Sequence, residues 1–213
     1  MRGYFDGLAR DWTDRYARRE DYRERSRVFS KAIEKVFARS KIGRVLEIGC
    51  GAYSMFDPGT HAGVECYAAD ISFEMLKKNT GAAHFFQADF MRLPLRDPFD
   101  LVILSSVVEW LGRPLAVPGI ASTLVRPGGF LLVSYPNARS LIRLLERNVV
   151  RPAKQLLRRR HYTDLQAAAD YGELAGEFAK QRFALRDVVY FGKKIVVNSR
   201  HTSSLQLDTY EKA

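Results

Sequence analysis

The sequence predicts an α/β fold, a doubly wound and mostly parallel sheet with helices on both faces and a helical cap. Three observations predict it. Five short apolar runs, at Arg44–Ile48, Val64–Ala69, Ala83–Ala88, Phe99–Leu104 and Phe130–Ser134, alternate with helical or irregular stretches, the pattern of parallel strands joined by crossovers. Each of the first four runs ends in Gly, Asp or Ser, small or polar residues where such sheets bind ligands. The chain of 213 residues suits one domain with a modest cap better than two full domains.

The elements follow in order. Tyr4–Tyr16 and Asp21–Ser40 read as two helices, the second from Val28, Phe29, Ala32, Ile33, Val36 and Phe37 recurring at three-and-four spacing. Gly43 breaks that pattern before the first strand, which ends in the tight turn Gly49-Cys50-Gly51. A helix is expected over Ser72–Asn79 with Ser72 as its N-cap, and the turn Pro127-Gly128-Gly129 precedes the fifth strand. After Asn137 the pattern becomes long, Arg-rich and helical with a break at Pro152, and Ile195–Asn198 reads as a last strand. The stretch Tyr171–Arg186 fits more than one element. Residues 1–40 are thus lid helices, 41–137 a ligand-binding core, and 138–200 a cap with the last strands, all within one domain spanning 1–213. Phe85, Phe86, Phe99 and Trp110 are expected in the core.

Composition narrows the function classes. No apolar run approaches the roughly eighteen residues of a membrane span, and the charged start is unlike a secretory signal. Cys50 and Cys66 are the two cysteines and have no metal-ligand or disulfide-framework company, so a cytoplasmic location and no metal are expected. The net charge of +10 sits in residues 1–40 (+4) and 138–200 (+8), flanking a near-neutral middle.

The chemistry concentrates at the strand ends. Glu47-Ile48-Gly49-Cys50-Gly51 gives a turn whose glycines allow close backbone approach to a ligand. Asp70 ends the second strand, where a carboxylate accepts hydrogen bonds from the ribose hydroxyls of a nucleoside. Asp89 follows the third strand, and Ser105-Ser106 close the fourth. A nicotinamide fingerprint wants glycine where Ser54 stands, and a P-loop wants a Gly-Lys-Ser/Thr that is absent.

Val45–Gly51, Ala69–Leu76, Gln87-Ala88-Asp89 with Leu93-Pro94, Phe99–Val102 and Arg126–Gly129 resemble, in that order, the motifs of class I S-adenosylmethionine (SAM) dependent methyltransferases of the small-molecule type, which have a Rossmann-like fold. The resemblance spans roughly Tyr4–Asn137 and implies SAM as cofactor and S-adenosylhomocysteine (SAH) as its product. It implies a cofactor set of Tyr16, Glu47, Gly49, Cys50, Gly51, Asp70, Ile71, Met75, Asp89, Phe90 and Ser105, with Gly49 and Gly51 along the methionine part, Asp70 on the ribose, and Asp89 with the Phe90 backbone at the adenine. The first helices, with Tyr16, resemble the family's lid. Two residues depart from the pattern. Tyr53 replaces the third glycine of the first motif, so the loop must leave the strand differently or crowd the cofactor. Glu109-Trp110 stands where the family often has Glu-His.

His161, Glu109 and Tyr162 are the candidate general bases, where the acceptor needs one. Arg139, Arg143, Arg147 and Arg151 recur at every fourth position and read as one helical stripe. Arginine's planar fork suits carboxylate and phosphate, so the expected acceptor is a small anionic or carrier-tethered metabolite, methylated on oxygen or nitrogen. A solvated helix face is the alternative reading of the stripe. An RNA methyltransferase and a non-catalytic SAM-binding regulator are the alternative functions.

Overall fold

A computed structural model describes residues 1–81, 84–137, 139–150, 172–193 and 197–213, with the side chains of 11, 13–17, 147 and 150 outside the description. Two helices, α1 (Arg2–Arg18) and α2 (Glu20–Arg39), lead into strands β1 (Arg44–Ile48), β2 (Glu65–Asp70), β3 (His84–Gln87), β4 (Phe99–Ser105) and β5 (Val125–Pro136). A short α3 (Phe73–Leu76) follows β2, and α4 (Val117–Leu124) precedes β5. Beyond β5 come α5 (Leu141–Leu145), a π-helical turn over Glu146–Val150, α6 (Leu174–Lys180), β6 (Phe183–Phe191) and β7 (Leu205–Lys212). The seven strands lie in the order β3-β2-β1-β4-β5-β7-β6. β1 to β5 run parallel, and β7 pairs antiparallel with both β5 and β6.

Alternation along the strands builds two cores. Leu101 and Ile103 of β4, with Phe130 and Leu132 of β5, face α2 through Phe29, Ala32, Ile33 and Val36. Val102, Leu104, Leu131 and Val133 face the other way, onto Val117, Ala121 and Leu124 of α4 and Leu174 and Phe178 of α6. Strands buried on both faces read as unbroken apolar runs, which is why β4 and the apolar part of β5 are so plain in the sequence. The N-terminal edge is tied by Asp100, whose carboxylate accepts from the backbone N–H groups of Gly43 and Arg44, both at 2.7 Å, and pairs with Arg126. Gly129 is obligatory beside it, because a Cβ there would stand 2.9 Å from the Arg126 carbonyl oxygen and 3.0 Å from that of Asp100.

Several expectations need correction. Residues 197 and 198 carry no strand, and 195–196 lie outside the described residues, so the sheet closes instead with β6 and β7. β7 escapes an apolar-run search because its buried positions include Asp208 and Thr209. Asp208 is accommodated by hydrogen bonds from the hydroxyls of Tyr210 (3.0 Å) and Tyr135 and from Gln206 Nε2 (3.0 Å). The ambiguous stretch resolves into α6 and the start of β6. Phe85 is exposed, since β3 is a short edge strand, and Trp110 is partly exposed and packs on Tyr4 and Phe5 of α1. The arginine stripe is not one helical face: Arg139 precedes the helix N-cap Ser140, the π turn shifts the register after Leu145, and Arg151 lies outside the described residues.

Candidate cofactor and acceptor site

A cavity of about 610 Å³ opens at the carboxyl ends of β1, β2 and β4, within the size range of small-molecule sites. Its floor begins at the β1 turn. Gly49 adopts φ +72° and Gly51 φ +55°, a region that side chains rarely tolerate, and the Gly49 N–H donates to the Ala69 carbonyl at 2.8 Å. A Cβ at Gly49 would sit 2.3 Å from Val107 Cγ2, and one at Gly51 would sit 3.4 Å from Trp12 Nε1. The turn therefore has bare backbone where Val107, just after β4, and Trp12 of α1 crowd it.

No helix follows this turn. Residues 49–64 cross to β2 as a loop with one 3-10 turn at Pro58–Thr60, and Tyr53 is exposed and off the cavity lining. The loop leaves the strand differently rather than filling the pocket. Glu47 makes this possible. Its buried carboxylate accepts from the N–H of Met55 (2.8 and 3.0 Å) and of Phe56 (3.3 Å), replacing hydrogen bonds a helix would have supplied. Glu47 thus faces the loop and is not among the cavity-lining residues.

Burial pushes the Glu47 carboxyl up to about 7, against the pull of those backbone donors. A carboxyl raised on folding stabilises most below its unfolded pKa, and that contribution disappears as pH rises through the folded value. Unfolding free energy is therefore expected to fall by roughly 3 kcal/mol between pH 4.5 and pH 8 on account of this group. Urea titrations across that range check it, and a Glu47→Gln protein with an unchanged pH slope would refute it.

Asp70, at the end of β2, is 8% exposed and lines the cavity. Its two oxygens accept from Gly51 N–H (2.9 Å) and Ser72 N–H (2.8 Å), so the carboxylate is fixed in place and braces the glycine turn. Burial, chiefly, raises its pKa, with Asp6 of α1 adding to the effect. Ser72 caps α3 by accepting from Met75 N–H and donates its hydroxyl to Asp6, which leaves Asp70 free of the capping role. Asp89 lies on the rim, exposed, and accepts from Met91 N–H at 2.9 Å, so its carboxylate already serves a turn there. Cys50 is buried, and burial first of all raises its thiol well above the ordinary range, which disfavours a resting thiolate.

The cavity gathers Gly49, Cys50, Gly51, Asp70, Ile71, Met75, Asp89, Phe90, Ser105 and Glu109 from the sequence-derived set. Tyr16 falls on α1 with its side chain outside the description, and His161 and Tyr162 lie outside the described residues. Sequence reasoning missed Tyr4, Phe5 and Trp12 as individual lining residues, and missed Arg25 entirely. Arg25 had a readable signal: it stands four residues before Phe29 and so continues the buried stripe of α2, where a charged side chain has to find a polar partner. Among the described residues no group of three or more His, Cys, Asp or Glu is placed to hold a metal ion, and no helix is long and apolar enough to cross a membrane.

The cradle fits a SAM-sized nucleoside, with bare glycine backbone at the β1 turn and a fixed carboxylate 21 positions beyond Gly49 at the end of β2. Comparisons agree with that geometry. Residues 14–181 match a family model described as a methyltransferase domain. Two curated relatives are malonyl-[acyl-carrier protein] O-methyltransferases. That of Enterobacter lignolyticus is 29% identical over 127 residues, 56% of this chain and 51% of the relative. That of Pseudescherichia vulneris is 39% identical over 92 residues, 40% of this chain and 36% of the relative. The chain therefore spans about half or less of the curated relatives it matches. Among solved structures, magnesium protoporphyrin IX methyltransferase from Synechocystis PCC 6803 with bound SAH superposes with a TM-score of 0.73 at 15% identity. That match covers 100% of this chain and 98% of the other, and the same enzyme has been solved with bound SAM. With the sheet order, the cradle and the family model in agreement, the chain belongs to the methyltransferase-domain family, whose fold is the Rossmann-like one of SAM-dependent enzymes.

Proposed function

We propose that this protein is a SAM-dependent O-methyltransferase acting on a small anionic acceptor, free or tethered to a carrier. The observation that carries the reading is one cavity whose lining joins the glycine turn and Asp70 to Arg25, Arg143 and Lys193, the last two paired with Glu146 of the same lining. The curated relatives named as O-methyltransferases of a carrier-bound malonyl group support oxygen as the acceptor atom and a tether as the delivery route.

SAM supplies, when bound, a methyl group on a sulfonium that an acceptor lone pair can displace. The chain's own residues bind, orient and exclude water. Gly49 and Gly51 allow close approach of the methionine part, Asp70 accepts from the ribose hydroxyls, and Asp89 with the Phe90 backbone marks the adenine end. Tyr4, Phe5 and Trp12 of α1 line the same space from the lid side. Positioning of this kind is worth about 7–11 kcal/mol of a displacement barrier, so a dedicated base is optional.

Of the three proposed bases, Glu109 alone lies within the described residues. It is 3% exposed, and burial first of all raises its pKa, against the pull of its own backbone N–H, Arg25, Arg143 and the Ser106 hydroxyl, a shift that serves a general acid or a general base alike. Glu109, His161 and Tyr162 remain the proposed bases for a hydroxyl acceptor.

The test is incubation with methyl-labelled SAM and a cell extract separated into small-molecule, carrier-protein, lipid and RNA pools. Label is expected in the small-molecule or carrier-protein pool. Label confined to RNA, or on nitrogen, would overturn the reading.

A further inference from the structure

Among the described residues, four buried side-chain polar atoms have no hydrogen-bond partner: Arg25 Nε, Ser105 Oγ, Ser106 Oγ and Glu109 Oε2. All four residues line the one cavity. A buried polar atom left unpaired costs about 1–3 kcal/mol. Such costs gathered in one place, in residues from α2, the end of β4 and the turn after it, mark a place built for a polar ligand.

The charges of Arg25 and Arg143 and the Ser106 hydroxyl all act on the Glu109 carboxyl. Ser106 is held at φ +56°, rare for a residue with a side chain, and its N–H donates to Ser134 Oγ at 2.9 Å. Arg143 is itself anchored, donating from Nε to the Ser204 carbonyl at 3.2 Å and pairing with Glu146 at 3.5 Å. Glu24, the neighbour of Arg25, accepts from Gly192 N–H and Asn198 Nδ2, which fixes α2 against the loop after β6. The orphan donors therefore stand on a rigid frame.

The kinds of atom decide the ligand. Arg25 Nε–H can only donate, and the Ser106 hydroxyl can donate. Glu109 carries a donor whenever its carboxyl holds a proton, and its burial favours that state. Ser105, at the end of β4, borders the cofactor end and can serve either half. Tyr4, Phe5 and Trp110 line the same cavity with aromatic surface. We infer that Arg25, Ser106 and Glu109 form a carboxylate subsite, and that the acceptor is a carboxylate carried on an apolar body. A carboxylate oxygen is already a nucleophile with no proton to remove, so this acceptor needs no general base. This rests on the methyltransferase reading and names its acceptor class.

The test uses the full chain saturated with SAH, titrated calorimetrically with octanoate, octanamide and octylamine, which share a tail and differ in head group. Octanoate is expected to bind at least tenfold more tightly than the other two. Arg25→Gln is expected to weaken octanoate at least tenfold while SAH affinity stays within twofold of wild type. Should Arg25→Gln also lose SAH, Arg25→Lys keeps the charge without the Nε–H and is expected to weaken octanoate with SAH binding retained. Equal octanoate affinity in wild type and variant, a preference for octylamine, or no octanoate binding to SAH-loaded protein would overturn the subsite alone. Failure to bind SAH at all would overturn the methyltransferase reading beneath it.

Discussion

Gly49→Ala is expected to cost about 2–5 kcal/mol of stability and to remove measurable SAM binding. Two costs combine. A left-handed φ of +72° disfavours any side chain by roughly 1–2 kcal/mol. The new methyl would also meet Val107 Cγ2 at 2.3 Å, and a β-branched side chain has little rotameric freedom to retreat, so overpacking adds about 1–3 kcal/mol. The two are separable, because Val107→Ala removes the clash and leaves the backbone strain. The double variant is therefore expected to recover the overpacking part of the loss in a urea titration, and the backbone part should persist. A Gly49→Ala protein that melts and binds SAM like wild type would mean the turn does not have this conformation.

The second large effect belongs to Asp70. Asp70→Ala takes away the proposed ribose acceptor, a charge-assisted interaction worth about 1.5–3 kcal/mol, so affinity for SAM should fall about tenfold to a hundredfold. The structure adds a cost that the position in sequence alone does not show. The same carboxylate accepts from Gly51 and Ser72 N–H, and its loss leaves both donors, one of them in the glycine turn, without that partner. Melting temperature should therefore drop together with affinity. Calorimetric titration with SAM alongside a thermal melt checks both. Full affinity in a destabilised protein would confine Asp70 to bracing the turn.

How far the sequence could be read depends on the range of the interactions involved. The α2 stripe, the strand runs β1 and β4 and the Ser72 cap are local, so spacing alone locates them. The edge that carries the cavity was legible as well, because parallel strands place their carboxyl ends together whatever the loops do. Glu47 was not, since its role is set by a loop that folds back to present Met55 and Phe56 to it. The spacing marks Arg25 as a charge on the buried stripe of α2, while the cavity that it lines is set by the fold. β7 was lost because its buried face carries Asp208, whose partners Tyr135 and Gln206 come from two different strands. The arginine spacing suggested one continuous face, and a π turn, which no spacing rule foresees, broke it.

The two cysteines sit in different parts of this architecture. Cys66 packs in the core beneath α2, while Cys50 packs with Ala68 and Leu76 and lines the cavity. Burial raises both thiols, Cys66 to about 12, so alkylation at either has to wait for a structural opening. The openings differ. Cys66 becomes reachable only when a helix lifts from the sheet, and Cys50 when the pocket loosens. The pair thus gives the molecule two internal clocks, one timing global unfolding and the other the breathing of the site, and a ligand in the cavity should slow both, because either opening has to release it.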